Sequence, residues 1–310
     1  MKILVTGGAG FIGSHVAELL IENGHDVVVI DNLSSGVKNS IDSRAKFYEV
    51  DLADNSRVQY IFDKERFDVV YHLAAQIDVR KSVDNPVEDA RVNVLASLNL
   101  LELSVKHGIK HFIFSSTGGA IYGDNVAIPT NEESLEKPLS PYGCAKLSIE
   151  KYLNYYNAVY GLKYTALRYS NVYGPRQNPH GEAGVIAIFF NKMLRNESPI
   201  IFGGFQTRDF VFVEDVARAN LLVLSDTKSE VYNVGAGFET SISGLFEKMN
   251  SFFGGKFISE YREKKKGEQE RSCLNYDKIK KNLEWKPEIM IDEGLKKTHD
   301  WFYQRYILII

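Results

Sequence analysis

Cysteine is nearly absent: the 310-residue chain holds two, Cys144 and Cys273. They stand far apart without metal-ligand spacing, which argues against a disulfide framework or a metal site and fits a reducing cytoplasm. Long apolar runs are lacking as well, and no stretch approaches the length that spans a bilayer. The opening segment, residues 1–13, is interrupted by Gly7, Gly8 and Gly10 after a few apolar residues, so it reads as a strand entering a turn and not as a signal peptide. The tail Tyr306-Ile307-Leu308-Ile309-Ile310 is apolar but far too short for lipid, and is expected to pack on the protein or between subunits. Charge of one sign is not in excess. A net charge of −3 gives no reason to expect nucleic acid or an anionic membrane as partner. Internal repeats and low-complexity linkers are missing. Apolar residues are present at 44%, enough for a large core in one big domain or two unequal ones.

Short β-branched runs recur at 3–6, 27–30, 47–50, 69–73, 112–115, 164–169 and 231–234. Between them lie segments of helical spacing at 11–23, 56–62, 86–107, 141–160 and 215–225. Such alternation predicts βαβ units, a parallel sheet covered on both faces, and right-handed crossovers. The expected fold is α/β, a Rossmann-like doubly wound sheet with a smaller α/β C-terminal lobe. Residues 1–175 and about 210–235 are assigned to the sheet domain, and 176–209 and 236–310 to the smaller lobe. In the last third, 245–253 and 277–283 read as helices and 256–261 as a strand.

The first strand runs into Gly7-Gly8-Ala9-Gly10-Phe11-Ile12-Gly13 and then into a helix. Glycines at 7, 10 and 13 suit a tight turn, close backbone approach to a pyrophosphate, and close packing of helix on strand. The helix N-terminus offers free N–H groups and its positive dipole end to phosphates. A glycine triplet alone would be weak evidence, but the next strand ends at Asp31. An acid there accepts hydrogen bonds from ribose hydroxyls and repels a 2′-phosphate, which predicts NAD over NADP. The alternative is a surface aspartate that merely ends a strand.

Tyr142-Gly143-Cys144-Ala145-Lys146 opens a helix after Pro138 and Pro141. Spacing of four puts Tyr142 and Lys146 on one face. A free tyrosine, with a pKa of about 10, is a poor base at neutral pH. A nearby ammonium and a bound nicotinamide cation both favour the phenolate. Tyr142 then suits proton removal from a hydroxyl while hydride leaves the same carbon. Alone, this spacing equally describes a half-buried tyrosine over a solvated lysine. The strand at 112–115 continues into Ser115-Ser116-Thr117-Gly118-Gly119, whose hydroxyls emerge at the carboxyl edge of the sheet. Thr117 is the expected partner of the reacting oxygen, with Ser115 or Ser116 as alternatives.

The G-x-x-G-x-x-G turn, His72-Leu73-Ala74-Ala75, the Ser-Thr strand end and the Tyr142/Lys146 pair resemble the extended short-chain dehydrogenase/reductase family. With Arg168-Tyr169-Ser170-Asn171-Val172-Tyr173-Gly174-Pro175-Arg176 and Thr207-Arg208-Asp209-Phe210-Val211-Phe212-Val213-Glu214-Asp215-Val216, the chain from 1 to about 300 resembles UDP-glucose/UDP-galactose 4-epimerases and their UDP-N-acetylhexosamine relatives. The resemblance implies NAD contacts from Gly7, Gly10, Phe11, Ile12, Gly13, Asp31, Asn32, Asp51, Leu52, Leu73, Ala74, Ala75, Asn93, Ser115, Tyr142 and Lys146. Asp51 would face the adenine amino group, and Asn93 would steady the active-site region. It implies sugar-nucleotide contacts from Thr117, Tyr142, Asn171, Phe202 beside the uracil, and Arg208 on the phosphates.

Where the family usually carries Arg-x-Gly-Asp, this chain has Lys265-Lys266-Gly267-Glu268. Lysine supplies charge without a fork, which directs attention to Lys265 and Arg271. Ser272 falls where some 4-epimerases carry a large aromatic, and its small size predicts room for a 2-acetamido group. The resemblance implies 4-epimerisation through a transient 4-keto sugar and a homodimer packed through 86–107 and 141–160. Rivals are another NAD-dependent nucleotide-sugar enzyme (4,6-dehydratase, decarboxylase or reductase) and a non-catalytic dinucleotide sensor. Gly118-Gly119 where a dehydratase needs an acid–base pair counts against the first. The Tyr142/Lys146 pair counts against the second.

Overall fold

The computed structural model describes residues 1–124, 126–180, 184–264 and 269–307. Strand β1 (Lys2–Thr6) leads into α1 (Phe11–Glu22), followed by β2 (Asp26–Asp31), β3 (Lys46–Glu49), α2 (Asn55–Glu65) and β4 (Val69–His72). Helices α3 (Val79–Asp84) and α4 (Pro86–Ala90), a π-helical stretch Arg91–Leu95 and α5 (Ala96–Lys106) lead to β5 (His111–Thr117). Next come α6 (Gly118–Ile121), α7 (Pro141–Tyr160), β6 (Tyr164–Tyr169), β7 (Asn171–Tyr173), α8 (Val185–Leu194) and β8 (Ile200–Phe202). Strands β9 (Thr207–Arg208) and β10 (Phe210–Phe212), α9 (Val213–Leu222) and β11 (Glu230–Val234) follow. The chain ends with β12 (Thr240–Ser241), α10 (Ile242–Ser251), β13 (Glu260–Arg262), α11 (Asp277–Leu283) and α12 (Ile291–Ile307).

Seven of these strands form one sheet in the order β11-β6-β5-β4-β1-β2-β3, and every pair in it is parallel. The order reverses at β1, so a crevice opens between β1 and β4 at their carboxyl ends, the position where such sheets bind ligands. Alternate side chains feed opposite faces. Ile3, Val5, Val27 and Val29 pack with Val16, Ala17 and Leu20 of α1 and Val216 and Ala219 of α9. Leu4, Val28 and Ile30 pack with Ile61 and Phe62 of α2, Leu100 and Leu101 of α5, and Ile149 and Leu153 of α7. A third apolar cluster lies beyond the sheet, built by α8, β10, α10 and α12 around Phe190, Phe212, Leu245 and Leu295.

Several expectations need correction. The segment expected to be helical over 86–107 is helical from Pro86 to Lys106, but a π turn at Arg91–Leu95 inserts into it. The strand expected over 256–261 is three residues, Glu260–Arg262, paired with β8. Helices α3, α8 and α12 carry no expectation above. In the apolar tail, Ile307 is 54% exposed in the single chain, so it does not pack on its own subunit, and Leu308–Ile310 lie outside the described residues. Among the described residues, no helix is long and apolar enough to cross a membrane.

Candidate active site at the carboxyl edge of the sheet

The glycine turn has no room for side chains. Gly7 has φ +72°, and a Cβ there would lie 2.6 Å from the Ala74 amide nitrogen. A Cβ at Gly13 would lie 2.1 Å from the Gly7 carbonyl oxygen. Gly10 precedes α1 without a side-chain cap, so the first N–H groups of the helix, from Phe11 onward, stay open. Asp31 closes the far side of the turn: Oδ2 accepts from the Ala9 amide at 3.0 Å and Oδ1 from Leu33 at 2.8 Å. On the neighbouring strand end, Asp51 accepts from the Ala53 amide at 2.8 Å and from Asn32 Nδ2 at 2.9 Å. These two bonds hold its carboxyl below the usual aspartate range. Asn32 and Asp51 are therefore joined, with Leu52 next to them. This cradle, with an uncapped helix end and a carboxylate at the end of β2, fits a dinucleotide.

At the end of β4, the Ala74 amide reaches Thr6 Oγ1 at 3.3 Å, and Leu73 packs on the core. Thr6 Oγ1 in turn lies 2.8 Å from His72 Nδ1, and His72 Nε2 lies 2.8 Å from Ser97 Oγ. Ser97 donates to the Asn93 carbonyl at 2.7 Å, so Ser97 accepts from Nε2 and Thr6 donates to Nδ1. Burial pushes His72 down to about 3, which keeps it neutral in that tautomer. Asn93 clamps the loop after Ala75: its Oδ1 accepts from the Gln76 amide and its Nδ2 donates to the Gln76 carbonyl, both at 2.9 Å. Gln76 is not among the residues the sequence reading names, since a polar residue just past a strand end carries no spacing signal, and His72 stands in a named motif without an assigned role.

Helix α7 starts at Ser140, whose Oγ accepts from the Gly143 amide at 3.1 Å, with Pro141 in the first turn. That start puts Tyr142 and Lys146 against the end of β5. Lys146 is 4% exposed, and its Nζ donates to the Ser115 carbonyl at 2.8 Å. The ammonium lies 4.7 Å from the Phe114 ring centroid and 5.9 Å from that of Tyr142. Burial brings Lys146 down to about 8, against the Asp89 and Glu150 carboxylates. Burial raises the Tyr142 phenol above its ordinary value, and the Asp89 charge adds to that. Burial thus favours the neutral phenol, and further positive charge brought beside it would favour the phenolate.

Strand alternation sorts the three hydroxyls. Ser115 and Thr117 share one face, and Ser116 takes the other. Ser116 Oγ donates to Glu150 Oε1 at 2.5 Å within a buried network. Glu150 also receives Arg168 Nε at 3.0 Å and Nη2 at 2.5 Å, while Arg168 Nη1 donates to the Tyr122 phenol at 2.8 Å. Ser116 is thereby corrected as a candidate for the reacting hydroxyl. The Thr117 side chain does not cap α6, which begins directly after it.

The residues expected to hold a sugar nucleotide come from three short pairings. Thr207 and Arg208 of β9 pair with β12 and bridge to Arg271, and the Ser272 amide donates to the Thr207 carbonyl at 3.3 Å. Arg208, Arg271 and Ser272 are thus brought together. Arg271 Nε reaches Glu239 Oε1 at 3.0 Å and Nη2 reaches Oε2 at 2.5 Å. Glu239, missed above, therefore holds that fork. Ser272 is buried. Phe202 ends β8, and its carbonyl accepts from Gln206 Nε2 at 2.6 Å. Exposed Asn171 begins β7, its amide bonded to the Asp209 carbonyl at 2.9 Å. Lys265 lies outside the described residues. Among the described residues, no group of three or more His, Cys, Asp or Glu side chains is placed to hold a metal ion.

Residues 3–235 match the model of the NAD dependent epimerase/dehydratase family. The chain is 50% identical over 300 residues to a putative UDP-glucose 4-epimerase of Methanocaldococcus jannaschii, covering 96% of this chain and 97% of that protein. It superposes on the crystal structure of a UDP-glucose 4-epimerase with UDP-glucose from Thermotoga maritima with a TM-score of 0.97 and 51% identity, over 98% of this chain and 99% of the other. A Thermus thermophilus UDP-glucose 4-epimerase in complex with NAD gives a TM-score of 0.92 at 40% identity, over 97% and 99% of the two chains. With its glycine cradle, sheet-edge acids and Tyr142/Lys146 helix in that same frame, the chain belongs to the NAD dependent epimerase/dehydratase family.

Proposed function

We propose that the protein is a UDP-hexose 4-epimerase that interconverts UDP-glucose and UDP-galactose and also accepts the 2-acetamido hexoses. The observation that carries this reading is the junction of α7 with β5. Lys146 is pinned to the Ser115 carbonyl one turn from Tyr142, beside the Thr117 strand end and the crevice of the glycine cradle. The similarity to UDP-glucose 4-epimerases over nearly the whole chain supports the substrate class.

In this reading the glycine turn and the N-terminus of α1 hold the pyrophosphate of NAD, and Asp31 accepts from its adenosine ribose. NAD, when bound, supplies the hydride acceptor and donor. Tyr142 takes the proton of the sugar 4-hydroxyl and, once the 4-keto sugar has swung about its diphosphate link to show its other face, returns the proton to that oxygen, with Thr117 hydrogen-bonding it. Lys146 holds the nicotinamide ribose and lends its charge to the phenolate. Arg208 grips the diphosphate, with Arg271 nearby once its fork leaves Glu239. Phe202 lies beside the uracil and Asn171 meets the sugar diphosphate. The small side chain of Ser272 is the basis for accepting an acetamido group.

Exposed apolar residues gather on α3, α4 and α7: Val83 is 60% exposed, Val87 79% and Val159 57%. They support a homodimer packed through these helices. A cytoplasmic site of action goes with this substrate class. Incubation of the purified protein with UDP-galactose, without added cofactor, and coupled detection of UDP-glucose tests the activity. No turnover of either UDP-galactose or UDP-N-acetylglucosamine would refute the reading. Turnover of UDP-galactose alone would remove its acetamido part.

A further inference from the structure

Lys146 is a buried ammonium, and a buried charge needs a counter-charge or a full set of acceptors. Its one hydrogen bond among the described residues is to the Ser115 carbonyl. Two buried carboxylates act on it, Glu150 and Asp89. Glu150 is already engaged: the Arg168 guanidinium spans both its oxygens and Ser116 donates to one of them. Asp89 is different. It is 2% exposed, and its Oδ1 accepts from Gln76 Nε2 at 3.0 Å and Asn93 Nδ2 at 2.9 Å. Its Oδ2 is buried and has no hydrogen-bond partner. The two donors are the same side chains that fix the loop leaving β4. They sit where the helix is opened by the π turn at Arg91–Leu95, an irregularity common at functional sites.

We propose that Asp89 is the counter-ion and positioning residue of the Tyr142–Lys146 pair: one oxygen locks Asn93 and Gln76 in place, and the other stays buried and unbonded, so that its charge is left to act on the pair. On α7, its charge acts on Tyr142 and Lys146. On α3, the uncharged Ser82 hydroxyl accepts from the Tyr142 amide at 3.3 Å. On β4, His72 is kept neutral by burial. On the outer side of α4, Glu88 and Arg91 pair with each other in solvent. The negative charge favours the ammonium of Lys146 and opposes the phenolate of Tyr142. This holds the pair in its resting protonation state until the nicotinamide cation shifts the balance.

This inference rests on the reading of Tyr142 and Lys146 as the reacting pair, and its test is read without turnover. Holoprotein carrying 13Cε-lysine is titrated by NMR, with the Lys146 signal assigned by its absence in Lys146→Met. Asp89→Asn keeps the shape and an accepting oxygen but removes the charge, and should lower the Lys146 midpoint on the order of one pH unit. Asp89→Ala should lower it similarly and also release cofactor, because the Asn93–Gln76 clamp loosens. If Asp89→Asn does not fold, the wild-type protein labelled at aspartate 13Cγ serves. The Asp89 signal should then move with the Lys146 midpoint. An unchanged Lys146 midpoint in Asp89→Asn, or an Asp89 signal blind to Lys146, overturns the proposal. Absent epimerase turnover in a wild-type protein that shows the coupling would instead count against the function proposed above.

Discussion

Tyr142 is half-buried with its phenol raised by desolvation, and among the described residues no carboxylate or imidazole is bonded to it to take its proton. Everything it can do as an acid or base must come from charge brought to it. Tyr142→Phe removes the phenol that the proposed function assigns to exchange that proton, and turnover should fall by about 10²–10⁴-fold while bound NAD is retained, as read by a coupled assay and by cofactor release on denaturation. The hydroxyls of β5 separate in the same way. Thr117→Val should reduce turnover. Ser116→Ala, which deletes a donor to Glu150 on the opposite face, should cost about 1 kcal/mol in urea unfolding and leave most of the turnover. Equal losses of turnover in the two variants would contradict this assignment.

The β1-turn-α1 unit depends on backbone contacts that only glycine permits. Gly13→Ala forces a methyl into the Gly7 carbonyl and should abolish retention of the dinucleotide, measured by the cofactor content of purified protein. Gly119→Ala makes the contrast. A Cβ there meets nothing nearer than Thr117 Oγ1 at 3.9 Å, so cofactor content should match the wild type. Both glycines stand in motifs visible in the sequence, but only the packing distinguishes a required glycine from a tolerated one. The same holds for helices. Periodicity located α1, α7 and the strands of the main sheet, because their apolar faces repeat with the period of the element. It ran straight through Arg91–Leu95, because a π turn shifts the register by one residue without changing composition. Helix α8 sits between two segments of the third cluster, and its apolar run, VIAIFFNKML, has no polar face clear enough to give a period.

Asp209 ties distant parts of the chain together. Its Oδ1 accepts from the Ala236 amide at 2.7 Å, and its Oδ2 from Leu274 at 3.0 Å and Gly237 at 3.3 Å. One carboxylate thus joins the β9–β10 segment, the exit of β11 and the extended segment that carries Ser272. Asp209→Ala leaves three amides unpaired and should cost about 3 kcal/mol in chemical unfolding. Burial pushes Asp209 up to about 6, above its unfolded value, so the native state holds this proton more tightly than the unfolded chain. Its contribution to stability therefore grows as pH falls from about 6 toward 4. That part of the pH dependence should vanish in Asp209→Ala, which can be measured by unfolding at several pH values. At the surface, Val87→Asp combined with Val159→Asp places charge on the exposed apolar helices. A homodimer should drop to half its mass in sedimentation equilibrium, and an unchanged mass would dissociate these helices from any interface.

The sequence alone determined the parallel sheet, the glycine turn, the acids at the ends of β2 and β3, and the Tyr142/Lys146 face of α7. Each of these follows from local periodicity or from steric demands within a few residues. Tertiary structure decided what depends on contacts between remote segments. It turned Ser116 away to Glu150, matched Arg271 with Glu239, clamped Gln76 with Asn93, and left one oxygen of Asp89 unbonded inside the protein. Spacing along a chain cannot report such pairings, because hydrogen bonds are chosen by whichever groups the packed core leaves within reach.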